Sequence, residues 1–311
     1  MFTNKNYVLT VYREGSFSNA AKKLYISQPS LSASIKRIEE KIGVPIFDRS
    51  TTPVSLTEVG EEYVKYALFV EEKEQDFARY ISDYANFLTG SVRIGGSSLF
   101  SSFMLPGMIS DFNKKYPNIK FEIFEDNTKT LLEKLNLGTL DLIIDNAYID
   151  DDAFDTTVCT SETLLLAVPK SFAVNDSLKN YRLTSCDIKS GVHYDASRSV
   201  SLKKFSNYPF ILLHPENDTG KRAAQLFKKY HISPQVTFYL DQQVTAYNVS
   251  STGMGISFVS DILIRNMETG TSLFYYRLND KEIERNIYFY KKNAHYLSNA
   301  CQKFIETNSE N

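Results

Sequence analysis

Apolar positions recur with two different periods along the chain, and the change between them divides it. Up to about residue 88 the spacing is helical. In Asn4 to Glu14, Val8, Val11 and Tyr12 give an inner face, and Gly15 stops the helix. Ser18 to Leu24 reads as a short helix capped by Ser18, with Ala20, Ala21 and Leu24 turned inward, and Tyr25-Ile26-Ser27 as a tight turn. Ser27 to Gly43 is a longer helix. Ser27 is its N-cap, Pro29 sits in its first turn, and Leu31, Ile35, Ile38 and Ile42 form its apolar stripe. Two short extended runs follow, Val44 to Arg49 and Val54 to Thr57, around the turn-rich tip 50–53. Tyr63, Ala67, Val70, Glu74, Phe77, Ile81, Tyr84 and Leu88 then alternate four and three residues apart, a heptad seam interrupted only by Glu74.

Beyond a short hinge at 88–91, extended and helical segments alternate, which predicts a largely parallel sheet. Strands are expected at 92–95, 119–124, 140–144, 162–168, 209–213, 236–240, 255–259, 273–277 and 287–290. Helices are expected after Ser97, over 130–137, 222–230 and 242–251, and over 298–306 as a closing element.

The outward face of the Ser27 helix carries Pro29, Ser30, Ala33, Lys36 and Arg37, small residues early and cations late. Small residues let a backbone approach a surface closely, and Ser, Gln and Arg can hydrogen-bond bases or phosphates. Short helix, turn and longer helix make a helix-turn-helix, with the tip at 50–53 as a wing. The helix pattern alone is served equally well by an ordinary three-helix subdomain with a solvated face. Charge favours the DNA reading. Residues 1–57 hold eight cations against four carboxylates, whereas 58–88 hold three against eight. That puts a basic head on an acidic neck, although the net charge is only −2.

The spacing of Ala20-Ala21, Ser27-Gln28-Pro29, Leu31-Ser32, Ile35, Glu39, Gly43, Phe47, Arg49, Leu56-Thr57 and Gly60 closely resembles the N-terminal winged helix-turn-helix of the LysR-type transcriptional regulators. More weakly, so does the rest of the chain, at Leu137 to Asp145 and at Gly253-Met254-Gly255-Ile256. The resemblance implies an α/β protein in four parts. A winged helix-turn-helix spans 1–58 and a dimerising linker helix 59–89. A two-lobed domain like a periplasmic binding protein follows, its first lobe at 91–165 and 266–306 and its second at 166–265. It implies double-stranded DNA, a small-molecule effector and RNA polymerase as partners, and assembly as a homodimer or homotetramer. Three departures stand out. Many members have arginine where Ala33 stands, the usual proline is replaced by Ser260, and the interval from Asn175 to Ser197 is longer than usual.

The expected DNA contacts are Ser27, Gln28, Pro29, Ser30, Ser34, Lys36 and Arg37 on the helix, with Arg49 and Thr51 on the backbone. Effector contacts are expected where a strand end, hydroxyl side chains and a helix start coincide: Ser97 and Ser98, Asn127 and Thr128, Thr219 and Gly220. Free N–H groups at helix starts favour an anionic effector. Of these, Ser97 and Thr128 match positions that bind effectors in several relatives. Plain N-capping explains any one of the sites without a ligand. His193 and Arg198 in the long interval are further candidates to reach the cleft.

Other classes fit less well. No GxSxG elbow, P-loop, HExxH or zinc spacing occurs, so no enzyme activity, cofactor or metal is expected. Cys159, Cys186 and Cys301 are scattered. A thiol-based redox regulator using Cys159 and Cys186 is one alternative, and a cytoplasmic small-molecule-binding protein with a dimerising head is another. No apolar run approaches the roughly 20 residues of a membrane span, and the N-terminus lacks the apolar core of a signal peptide, so a cytoplasmic protein is expected.

Overall fold

A computed structural model describes residues 2–85, 90–267, 270, 272–293 and 296–309. The chain divides into two compact units, Met1–Ile81 and Ser82–Asn311.

The first unit is the predicted winged head. Helix α1 (Lys5–Glu14) ends at Gly15, whose φ of 59° closes the turn. Its buried face is Val8, Leu9 and Val11; Tyr12, expected inward, is exposed. Helix α2 (Phe17–Lys23) starts two residues earlier than the apolar pattern suggests. Ser16, not Ser18, is its N-cap, accepting from the Asn19 N–H, so that Phe17 joins the core. Helix α3 (Gln28–Ile42) is capped by Ser27 and closed by Gly43 at φ 89°. Leu31, Ile35 and Ile38 are buried and Ile42 is half-buried.

The wing is the antiparallel pair β1 (Phe47–Asp48) and β2 (Ser55–Leu56). Glu39 anchors its base, accepting from the Ile46 and Phe47 N–H groups. Thr57 receives the Gly60 N–H at the start of α4 (Glu58–Ala85). Any side chain at Gly60 would meet the Ile46 carbonyl at 2.0 Å, so the helix can start this close to the wing only with glycine there.

The heptad seam of α4 has two parts. Tyr63 and Ala67, with Val64, are buried in the core of the head. Further along, Phe69, Phe77, Tyr80 and Ile81 are exposed. Glu74, the break in the seam, pairs with Lys5 of α1 at 2.7 Å. The side chain of Tyr84 and all of Leu88 lie outside the described residues, as does the first half of the predicted hinge, whose second half begins β3.

The second unit begins with β3 (Gly90–Gly96), α5 (Ser98–Phe103), α6 (Leu105–Lys115), β4 (Ile119–Glu125), α7 (Thr128–Asn136) and β5 (Leu142–Asp145). Strand β3 lies between β4 and β5, parallel to both. The long strand β6 (Phe154–Pro169) links the two lobes. Short helices α8 (Val174–Ser177) and α9 (Ser185–Lys189), then β7 (Ser199–Val200), follow it. The second lobe continues through β8 (Pro209–Leu213), α10 (Asp218–Tyr230), β9 (Gln235–Leu240), α11 (Gln243–Ser251), β10 (Ile256–Ser260), α12 (Asp261–Asn266) and β11 (Leu273–Leu278). Strand β12 (Glu284–Lys292) and helix α13 (Asn299–Asn308) complete the chain.

Residues 154–163 of β6 pair with β12 in the first-lobe sheet, and its apolar half, 164–169, pairs with β10 and β11 in the second. Only the apolar half shows clearly in the sequence. The strand at 273–277, expected in the first lobe, therefore belongs to the second. It is buried on nearly every residue because β6 and β7 flank it. The return to the first lobe comes one strand later than expected, with β12. Among the described residues no helix is long and apolar enough to cross a membrane.

Candidate nucleic-acid interface and effector pocket

On α3, Gln28, Pro29, Ser30, Ala33, Lys36 and Arg37 are all exposed, and Ser34 is half-buried. The Leu31-Ile35-Ile38 stripe beneath fixes which face this is. Ser27 is exposed, but its hydroxyl accepts the Ser30 N–H as the helix cap. Ser34 and Arg37 also line an open hollow of about 430 Å³ with Asn4 and Lys41.

The two wing residues have partners within the head. The Arg49 guanidinium donates to Ser32 and Glu39, and lies 4.7 Å from the centre of the Phe17 ring. The Thr51 hydroxyl lies 2.9 Å from that of Ser55 and accepts the Ser55 N–H. Both order the wing as observed. Tyr25, not singled out from its side chain, is 95% exposed at φ 54° in the turn before α3.

In the second unit, Ser97, Thr128 and Thr219 come together around one small pocket. It has a volume of about 30 Å³, room for a water or two. Ser98, Asn127 and Gly220 are not among its walls. The Asn127 side chain caps α7 through the Thr130 N–H. Gly220 serves packing: a Cβ there would sit 2.3 Å from the His214 carbonyl. Asp145 and Asp218 line the pocket and no Lys or Arg does, so the anion-favouring features left are the N–H groups at the helix starts. Asp145 accepts from the Thr128 hydroxyl and the Ala147 N–H. Burial pushes its carboxyl above the usual range, although those hydrogen bonds and Arg285 act against this.

Beneath the pocket, five residues close a ring of hydrogen bonds. Arg285 on β12 donates through Nε to Glu162 on β6 at 2.7 Å, and through Nη1 to Thr219 at 3.0 Å. Thr219 also accepts from the Gln243 amide at 2.7 Å. Gln243 accepts the Ser260 N–H at 2.9 Å, and the Ser260 hydroxyl donates back to Glu162. Asn146 adds a bond to Glu162, and Asp218 a second carboxylate to Arg285. Burial alone would push the Arg285 guanidinium down, but Glu162 and Asp218 hold it above its ordinary value.

The sequence reading missed Glu162 and Arg285. One signal was present. Ile283, Arg285 and Ile287 alternate at strand spacing, which puts a charge in line with two buried isoleucines. The other was Ser260. A proline there would have neither the N–H nor the hydroxyl that the ring uses.

The long interval 175–197 is packed into the body of the second unit, His193 most deeply. His193 is fully buried, with Nε2 2.9 Å from Asp261. Asp261 also receives the Thr163 N–H and pairs with Arg265. Burial raises the Asp261 carboxyl, but His193 and Arg265 outweigh it and hold it low. Tyr194, not His193, reaches a cavity. Arg198 is half-buried and lines neither that cavity, nor the Ser97 pocket, nor the hollow beside α3. Cys159 and Cys301 are buried, Cys186 is exposed, and no disulfide joins them.

This architecture matches known proteins over nearly the whole chain. Residues 4–61 match the family model of bacterial regulatory helix-turn-helix proteins of the lysR family. Residues 85–310 match that of the LysR substrate binding domain. The HTH-type transcriptional regulator YcgK of Bacillus subtilis is 25% identical over 306 residues, 98% of this chain and 92% of its own. Full-length OxyR from Pseudomonas aeruginosa has the same fold, with a TM-score of 0.71 at 21% identity, covering 99% of this chain and 94% of that one. So does full-length CbnR in complex with its target DNA, with a TM-score of 0.67 at 17% identity, covering 99% and 98%. The chain belongs to the LysR family of DNA-binding transcriptional regulators, with a helix-turn-helix head and an effector-binding domain.

Proposed function

We propose that this regulator binds an interrupted palindrome through two copies of α3, in a dimer or a tetramer, and that a small polar effector between the lobes changes its grip. The observation that carries this reading is the exposed face of α3, where Gln28, Pro29, Ser30 and Arg37 stand clear over a buried apolar stripe. Ser34 and Lys36 support them. Arg49 and Thr51 act mainly by shaping the wing that rests on the backbone. The exposed Phe69, Phe77, Tyr80 and Ile81 of α4 supply a dimer seam within 59–89. The head spans 1–58, and the second lobe runs on from 166 through β11.

Ser97, Thr128 and Thr219 are the effector contacts, with Asp145 and Asp218 beside them. The pocket between them is too small for an effector as it stands, so binding requires the lobes to part, and the change in lobe arrangement is the signal. The protein works in the cytoplasm, where it meets DNA and RNA polymerase, and carries out no catalysis.

Selection of bound sequences from random DNA at two salt concentrations tests the reading. An interrupted palindrome, with affinity falling steeply as salt rises, is the expected result. No enrichment at either salt would overturn it.

A further inference from the structure

A second cavity, of about 420 Å³, lies against the same buried ring and is lined by Ser161, Tyr194, Arg222, Arg285, Asn286 and Tyr288 among others. Its size suits a small molecule, being within the roughly 300–1,000 Å³ of ligand pockets. The Arg285 side chain is only 1% exposed, yet its Nη2 has no hydrogen-bond partner among the described residues. A buried N–H group without an acceptor has lost its water and gained nothing, so a guest oxygen there is favoured.

Charge around the cavity decides what kind of oxygen. Arg285 already lies between Glu162 and Asp218. Arg222 is paired with Asp218 and Glu282, and Glu284 with Arg277. Every ion in the lining therefore has a counter-ion, and a charged guest would give up its hydration without a free partner. What remains is the orphan donor, the Asn286 amide, the Ser161 hydroxyl and the apolar faces of two tyrosine rings, the hydroxyl of Tyr194 already donating to Asp261.

We infer that this cavity is a second ligand site, separate from the effector pocket at Ser97 and Thr128, and that it takes an uncharged, hydroxyl-rich molecule of the monosaccharide or polyol class. One guest oxygen accepts from Arg285 Nη2. Because Arg285 Nη1 holds Thr219, occupancy here is felt at the wall of the effector pocket.

The test uses the full-length protein, with titration calorimetry and saturation-transfer NMR on defined probes. These are glucose, ribose, inositol and glycerol as neutral polyols, benzoate, lactate and glutamate as carboxylates, and putrescine as a cation. At least one polyol should bind. Asn286 and Ser161 are exposed and face each other across β12 and β6, so Asn286→Trp fills the cavity from its rim without entering the core. That variant should weaken polyol binding about tenfold or more. Ser161→Trp serves if Asn286→Trp does not fold. Ser97→Trp, which fills the other pocket, should leave polyol binding in place. Binding by charged probes alone, binding undiminished in the filled variants, or binding by no probe would each overturn the inference. None of these outcomes touches the effector reading, which stands or falls on Ser97→Trp abolishing the effector response.

Discussion

The head and the body of this protein place their polar chemistry on opposite sides. In the head, α3 turns Gln28, Ser30, Lys36 and Arg37 to solvent and buries only hydrocarbon. In the body, Glu162, Arg285, Thr219, Gln243 and Ser260 are buried, and polar groups satisfy one another in a ring. The head's polar residues are free to meet a partner and contribute little to folding. Those of the body are tied to the fold, so a ligand acts on them only by changing the arrangement that ties them. This contrast orders the expected effects of substitution.

The largest effect belongs to the ring. Glu162→Ala leaves Arg285 facing one carboxylate in place of two, in a site where neither side chain of the original pair is more than 1% exposed. Breaking one side of such a pair costs about 3–5 kcal/mol, visible as a lower midpoint in chemical denaturation. A loss below about 1 kcal/mol, the range of surface pairs, would mean that water reaches the ring, and the contrast between body and head would collapse. Ser260→Pro comes next. Its backbone φ of −69° already suits proline, so the loss is confined to the N–H to Gln243, the hydroxyl to Glu162 and that hydroxyl's cap on the Ile262 N–H of α12. We expect about 1–3 kcal/mol, set by the acceptors left unpaired. Unchanged stability would show that relatives with proline there lose nothing by it.

The same contrast explains what the sequence disclosed. Helix α3 is one continuous segment whose cap, stripe and stop are read from adjacent letters, so the head was legible down to its exposed face. Where that reading slipped, at Ser18 in place of Ser16 and at Tyr12 in place of Leu9, the error was a fraction of a turn. The ring could not be read this way. Glu162 and Arg285 are 123 residues apart, and Glu162 and Ser260 are 98 apart. Nothing local joins them; pairing of β6 with β12 and β10 does. The misplacement of β11 has the same cause, since an apolar strand looks the same in either lobe until its neighbours are known. Of the candidate effector residues, the sequence brought half to one pocket. Ser97, Thr128 and Thr219 do converge, whereas the hydroxyl and amide pattern at Asn127 and the glycine at 220 reflected capping and close packing.

A smaller effect, of opposite sign, is expected at Asp145. Burial holds its folded carboxyl above the unfolded value of 3.8, so its contribution to stability is present at low pH and lost as pH rises through the folded value. Asp145→Asn removes that loss. The variant should match the parent in acid and exceed it by about 0.5–2 kcal/mol at neutral pH, as measured by denaturation at several pH values. Lower stability at neutral pH would mean that the bonds from Thr128 and Ala147 to the ionised carboxylate outweigh its burial. If Asp145 is kept for the effector, the stabilised variant should respond to it less.

The smallest effect on folding, and the largest on function, is expected at Arg37. Its side chain is exposed on the outward face of α3, where Ala33 leaves the surface without a long side chain one turn earlier. Arg37→Ala should leave the unfolding midpoint where it was, because an exposed helical position away from cap and core carries little stability. DNA affinity should fall. If Arg37 meets a phosphate, the fall is uniform across sequences and the salt slope drops by about one. If it meets a guanine edge, the slope holds and one operator position loses its preference. Either outcome keeps the proposed division between an exposed face that meets DNA and a buried ring tied to the fold. Unchanged affinity together with unchanged stability would take Arg37 out of the interface and leave the first turn of α3, at Gln28 to Ser30, to carry recognition alone.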